Sequence, residues 1–88
     1  MEPEYKLGDL VQLNVDKKPM GLAVLVDVCG DVMEMNRDGL IPKIAGRFFK
    51  GDVGVVLQID DETFMTRIIT KSGLIGWGNT WDFIKVEE

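Results

Sequence analysis

The chain has 88 residues and a net charge of −5, with 45% hydrophobic and 28% charged side chains. This size and composition are those of one small globular domain, so a two-domain enzyme and a disordered chain are excluded. The sequence has no His and one Cys, which excludes a Ser-His-Asp triad, a Cys-His pair, a zinc finger and an internal disulfide. We therefore expect no catalytic residue, no metal and no cofactor.

Period-two alternation of apolar residues, typical of half-buried strands, begins at residue 10. Residues 10–15 predict a first strand with Val11, Leu13 and Val15 on its buried face. Residues 21–28 predict a second strand, with Leu22 and Val24 on one face. A turn then leads into residues 32–35, and we expect these two segments to form a hairpin.

The alternation disappears between residues 36 and 51. A structureless connection of this length is uncommon in a compact domain. Either residues 43–49 form a short helical turn or the connection packs its own aromatic side chains, and we expect the second.

Strand patterns return at residues 53–59, 64–70, 74–78 and 83–86, separated by turns rich in Asp, Gly, Ser and Asn. Short strands at this spacing favour a small barrel. We predict an all-β fold, a small barrel of five to six short antiparallel strands, as a single domain over residues 1–88.

The carboxy-terminal half carries the segments DVGVVL (52–57), MTRII (65–69), GLIGW (73–77) and WDFIKV (81–86). Their order resembles that of an SH3-like barrel, whose last strand follows a single 3₁₀ turn. The resemblance covers residues 51–86 and places residues 8–15 as the first strand. It implies that residues 20–50 stand where SH3 domains have a long first loop, here expanded into a hairpin plus a connection.

The opening Gly8-Asp9-Leu10-Val11, the segment GVVLQI (54–59) and the late Trp are also similar to small SH3-like proteins encoded by tailed phages of marine bacteria. Peptide-binding SH3 domains carry an acidic, Tyr-rich first loop and a Pro before the last strand. Here Tyr5 is the only Tyr and no Pro follows Pro42, so recognition of proline-rich peptides is not implied.

Several predicted strands are apolar on both faces. A chain this short buries only about 60% of the surface that it exposes when unfolded, so one barrel cannot easily cover both faces. We therefore expect a homo-oligomer, with a different protein partner as a further possibility. The predicted interface residues are Leu25, Val56, Met65, Ile69 and Trp77. The leading hypothesis is a non-enzymatic structural or interaction module.

Trp77, Trp81 and Phe83 fall within seven residues of one another. Such a cluster suits either the core of a barrel or a partner-binding surface. We expect Trp81, just before the last strand, to be the more buried tryptophan, Ile75 to lie in the core and Trp77 to face a partner.

A basic segment contrasts with the acidic remainder of the chain. Arg37, Lys43, Arg47 and Lys50 lie close together, with Asp38 as the only acidic residue between them. This pattern is either a solvated surface segment or an anion or nucleic-acid site, with Phe48 or Phe49 stacking on a base. The net charge disfavours nucleic acid because it repels phosphates.

Targeting signals are not apparent. The apolar runs are far shorter than the roughly 18 residues that a membrane span needs, and the amino-terminal residues lack an apolar core. A single thiol is typical of a reducing compartment. We expect no membrane association and a cytoplasmic location, in the host cytoplasm if the protein is viral.

Overall fold

The computed structural model of the protein describes residues 3–27 and 44–87. In these residues the chain forms seven strands and one 3₁₀ helix, which are β1 (Leu10–Leu13), β2 (Leu22–Val26), β3 (Ile44–Phe49), β4 (Val53–Asp60), β5 (Met65–Thr70), β6 (Ile75–Asn79), the 3₁₀ helix (Thr80–Asp82) and β7 (Phe83–Lys85). The strands form one antiparallel sheet in the order β3-β2-β6-β5-β4-β1-β7. The predicted all-β class is confirmed, with seven strands rather than five or six.

The sheet is barrel-like but open. Within the described residues no backbone pairing joins β3 to β7, the two ends of the strand order. Buried side chains from both halves of the sheet nevertheless meet in one core cluster, which is Tyr5, Val11, Leu13, Ala23, Leu25, Phe48, Val56, Ile68 and Phe83. The sheet therefore curls around a single core without closing on itself.

Strand β1 shows how the alternating pattern produces burial. Val11 and Leu13 are buried, as predicted, because they point to the inner face of the sheet. Val15 is 40% exposed, since β1 ends at Leu13 and a turn follows in which the Lys17 N–H donates to the Asn14 carbonyl. The predicted inner face is therefore correct for Val11 and Leu13 within the strand, and it does not extend to Val15.

Strand β3 lies where the sequence predicted a packed connection, and that prediction is wrong. It pairs with β2 along its whole length, from Leu22 opposite Phe49 to Val26 opposite Ile44, with a bulge near Val26. The bulge breaks the period of two, so the alternation that marks a strand is missing from the sequence. The predicted insertion at residues 20–50 thus contains an antiparallel strand pair, while the predicted strand at residues 32–35 lies outside the described residues.

Two glycines let the core close tightly over β6. A Cβ added to Gly76 would lie 2.8 Å from Leu25 Cβ, and one added to Gly78 would lie 2.6 Å from Phe83 Cζ. Phe83 in turn meets Phe48 edge-on, with ring centroids 5.5 Å apart. The missing side chains of Gly76 and Gly78 therefore make room for the largest core groups, a close-approach role that glycine often has in strands.

The amino-terminal segment closes one end of the core through Tyr5, which is 4% exposed. Its hydroxyl donates to the Thr80 carbonyl at 2.6 Å and lies 2.9 Å from the Thr66 hydroxyl, which lies 2.9 Å from that of Thr80. Because Tyr5 has one O–H, the Thr66 hydroxyl donates to Tyr5 and the Thr80 hydroxyl to Thr66. Burial raises the pKa of Tyr5, while its bonds to the two threonines oppose that rise.

Candidate functional site on the outer face of the sheet

The outer face of the sheet carries an apolar row that crosses four strands. Leu10 on β1 lies opposite Val55 on β4, Val55 opposite Ile69 on β5, and Ile69 opposite Ile75 on β6. Directly paired residues point to the same face, so these four side chains are neighbours. With strands about 4.8 Å apart, the row is about 14 Å wide. We call Leu10, Val55, Ile69 and Ile75 the apolar row.

The apolar row is accessible to solvent. Leu10 and Ile75, at its two ends, are each 40% exposed, and Val55 and Ile69 are half-buried between them. An open depression of about 420 Å³ lies over Leu10, Val55 and Ile69, with Val53 and Lys71 on its margin. The row is thus an accessible apolar surface with the cation Lys71 on its margin.

A second apolar feature on the outer face is a groove beside Trp77. Gly76 and Gly78 face the core, so Trp77 between them points outward, where it pairs in register with Val26 and Arg67. The groove has a volume of about 520 Å³ and is lined by Lys18, Pro19, Met20, Leu22, Val24, Val26, Met65, Trp77, Gly78, Asn79 and Asp82. We call it the Trp77 groove.

One end of the Trp77 groove is polar. The Lys18 ammonium lies 3.7 Å from Asp82 Oδ2, and the Asp82 side chain is only 15% exposed. Burial raises the pKa of Asp82 above its usual value, and the neighbouring Lys18 opposes that rise. Next to this pair, the Asn79 side chain accepts a hydrogen bond from the Trp81 N–H at 3.0 Å and so begins the 3₁₀ helix.

The predicted interface residues divide between the two faces. Met65, Ile69 and Trp77 lie on the outer face, as their assignment to an interface requires. Leu25 and Val56 do not, because they are 0% and 2% exposed in the chain's own core, and their assignment to an interface is wrong. Adjacent residues in a strand point to opposite faces, so choosing the wrong parity exchanges every residue on a strand.

The expectations for the tryptophans also need correction. Trp77 is 8% exposed and Trp81 is half-buried, so Trp77 is the more buried of the two. Ile75 lies on the outer face with Trp77, two residues away, and is 40% exposed rather than in the core. The alternation places Ile75 and Trp77 on one face, and the two glycines decide that this face is the outer one.

The predicted anion or nucleic-acid contacts differ from one another in their burial. Phe48 is 0% exposed and packs on Phe83, so it cannot stack on a base, and that prediction is wrong. Phe49 is 51% exposed, and Arg47 and Lys50 are exposed beside it on β3 and the turn that follows. The remaining predicted contacts, Arg37 and Lys43, lie outside the described residues.

Three members of the apolar row, and the cation Lys71, were not among the predicted site residues. Leu10, Val55 and Ile75 share the outer face with Ile69. The period of two predicts this once one residue on each strand has been assigned to a face. In the sequence, the two glycines that flank Trp77 are the signal that could have assigned Trp77 to the outer face of β6.

In the part of the chain that the structure describes, no set of three or more His, Cys, Asp or Glu side chains could hold a metal ion. No helix in the same residues has the length and apolar character to cross a membrane. Comparison of the chain with known protein families, with curated proteins and with solved structures finds no match.

Proposed function

We propose that the protein is a non-enzymatic interaction module that self-associates through the apolar outer face of its sheet. The observation that carries this proposal is the apolar row, four side chains in direct register on four adjacent strands and all accessible to solvent. Contiguous apolar surface of this kind usually marks an interface. The lack of any His supports a binding role over acid-base chemistry.

A second copy of the chain suits the apolar row because the row lies across four strands on one face of a sheet. Two sheet faces pack about 10 Å apart with their side chains interdigitated, and a two-fold axis brings the same surface from both copies together. The Trp77 groove is less suited to the centre of such a contact, because the charged side chains of Lys18 and Asp82 lie at one end of it. The row therefore forms the centre of the proposed contact.

The proposed association is weak. Completing the burial of each partly exposed side chain in the row contributes roughly 0.5–1 kcal/mol, and bringing two chains together costs several kcal/mol. Two chains of net charge −5 also repel one another. We expect a dissociation constant in the high micromolar range, and a tighter dimer at high salt because salt screens the repulsion.

An SH3-like architecture is part of this proposal. Two features support it: β7, β1, β4, β5 and β6 are consecutive neighbours in the sheet, and a single 3₁₀ helix precedes β7. The strand pair β2-β3 then extends this five-stranded unit beyond β6. On this view the chain keeps a small barrel scaffold and presents its outer face to a partner.

Sedimentation equilibrium from about 20 µM to 1 mM tests self-association against the 9.9 kDa monomer mass. The double variant Leu10→Gln with Ile75→Gln should weaken the dimer at least tenfold. Val15→Gln is a matched control, since Val15 is also 40% exposed but lies beyond the far end of β1. A monomer at 1 mM, or equal weakening by the control, would reject the proposal.

The salt dependence separates this function from nucleic-acid binding, the alternative that the basic segment suggested. Affinity for a polyanion falls steeply as salt rises, because phosphate contacts release counterions. Self-association of like-charged chains through an apolar surface instead becomes tighter as salt rises, because salt screens their repulsion. Sedimentation of the protein with and without single-stranded DNA at two salt concentrations therefore distinguishes them.

A further inference from the structure

A cleft with two cations lies at one end of the sheet, where the turn between β3 and β4 meets the turn between β5 and β6. It has a volume of about 400 Å³, within the range of small-ligand sites. The lining residues are Arg47, Gly51, Asp52, Val53, Thr70, Lys71, Ser72 and Leu74. The cleft adjoins the depression over the apolar row, with which it shares Val53, Thr70 and Lys71, and it differs from that depression by its polar and charged lining.

The strand framework brings the two cations to this cleft from distant parts of the sequence. Arg47 lies on β3 opposite Val24, so its side chain is on the outer face. Lys71 directly follows β5, where its N–H donates to the Val53 carbonyl at 3.2 Å. Among the described residues, neither cation has an ion-pair partner. In a chain of net charge −5, these cations form a local positive surface.

One carboxylate belongs to the lining and must be counted. Asp52 Oδ2 accepts a hydrogen bond from the Phe49 N–H at 2.9 Å, so this oxygen is held against the chain's own backbone. Arg47 and Lys71 together carry a charge of +2, so the lining has a net charge of +1 once Asp52 is counted. Lys50, exposed next to Gly51, adds a further positive charge nearby.

The cleft also offers neutral hydrogen-bond donors. The backbone N–H groups of Gly51 and Ser72 have no acceptor within the described part of the chain. The hydroxyls of Thr70 and Ser72 lie 2.9 Å apart, so one of them donates to the other and the second has its proton available. A tetrahedral anion with several acceptor oxygens matches this set, since guanidinium and ammonium groups both bind phosphate.

We propose that this cleft binds the phosphate group of a small ligand, either free phosphate or a phosphate monoester. The volume of the cleft suits one phosphate-bearing molecule, and the acidic remainder of the chain repels a long polyanion. This proposal goes beyond self-association, because it uses the charges of Arg47 and Lys71 rather than the side chains of the apolar row, and the two sites adjoin at Lys71.

Amide chemical shifts of the isotope-labelled protein, titrated with inorganic phosphate and separately with adenosine monophosphate at low salt, test the proposal. We expect shifts at Gly51 and Ser72 that saturate with a dissociation constant of about 1 mM. Saturation with both probes identifies the phosphate as the recognised group, and tighter binding of the nucleotide identifies a monoester.

The double variant Arg47→Gln with Lys71→Gln should weaken binding at least tenfold, and the same spectra report whether it is folded. Lys17→Gln is the matched control, an exposed cation outside the cleft, and should change nothing. Equal weakening by the control, or no shifts at 50 mM phosphate, overturns the proposal. Tighter binding of single-stranded DNA also overturns it in favour of a polyanion site, if the affinity falls with salt as steeply as contacts to several phosphates require.

Discussion

Replacing Leu25 with Ala tests which face of β2 forms the core. Leu25 is 0% exposed, and it packs where Gly76 and Gly78 bring the backbone of β6 against it. Leu-to-Ala changes in cores cost about 2–5 kcal/mol, depending on how well the surroundings collapse. A paired strand cannot move into the void easily, so we expect about 3–4 kcal/mol, within that range.

That loss is large for this protein. At roughly 0.05–0.15 kcal/mol per residue, a chain of 88 residues has a free energy of unfolding of about 4–13 kcal/mol. With a urea dependence near 1–1.5 kcal/mol per molar, the Leu25→Ala midpoint should fall by about 2–4 M. Urea unfolding followed by circular dichroism measures this directly.

Val24→Ala is the matched control on the neighbouring position. Val24 is 46% exposed on the outer face, so its truncation should cost about 1 kcal/mol or less. If Leu25→Ala keeps the wild-type midpoint and weakens self-association, or if Val24→Ala is the more damaging change, the assignment of the faces of β2 is refuted.

Three further changes test the packing and charge of the fold. Gly78→Ala should lower the free energy of unfolding by about 1–3 kcal/mol in urea unfolding, because its Cβ would overlap Phe83. Gly73→Ala is the control: its Cβ would meet no neighbour, so the loss of stability should be only that of a Cβ at a positive φ. Tyr5→Phe should cost about 1–3 kcal/mol, since the Thr80 carbonyl loses its donor; an unchanged melting curve would contradict the hydroxyl cluster. Burial raises the pKa of Asp82, so its protonated form is favoured in the folded state, and the stability of wild type relative to Asp82→Asn should fall as pH rises through that raised pKa. Unfolding curves at several pH values check the sign, and a rise would contradict it.

The local pattern of the sequence determined the class of the fold and most of its strands. Alternation and turn residues located β1, β2, β4, β5, β6 and β7 to within a few residues. These signals are local, because steric preferences and turn chemistry act over a few neighbouring residues. They also identified strands with apolar side chains on both faces, which led to the prediction of an interface.

Only the tertiary structure decided which face of each strand is inside. Leu25 and Val24 are both apolar, and neither residue alone indicates which one meets β6; the contact of Leu25 with Gly76 and Gly78 decides it. Strand β3 was missed for a related reason, since it is identified by its pairing with β2 and its bulge removes the periodic signal. The cleft of Arg47 and Lys71 joins turns far apart in the chain. Each of these features depends on non-local contacts, whose free energy is gained only when the whole sheet assembles, so the linear sequence does not display them.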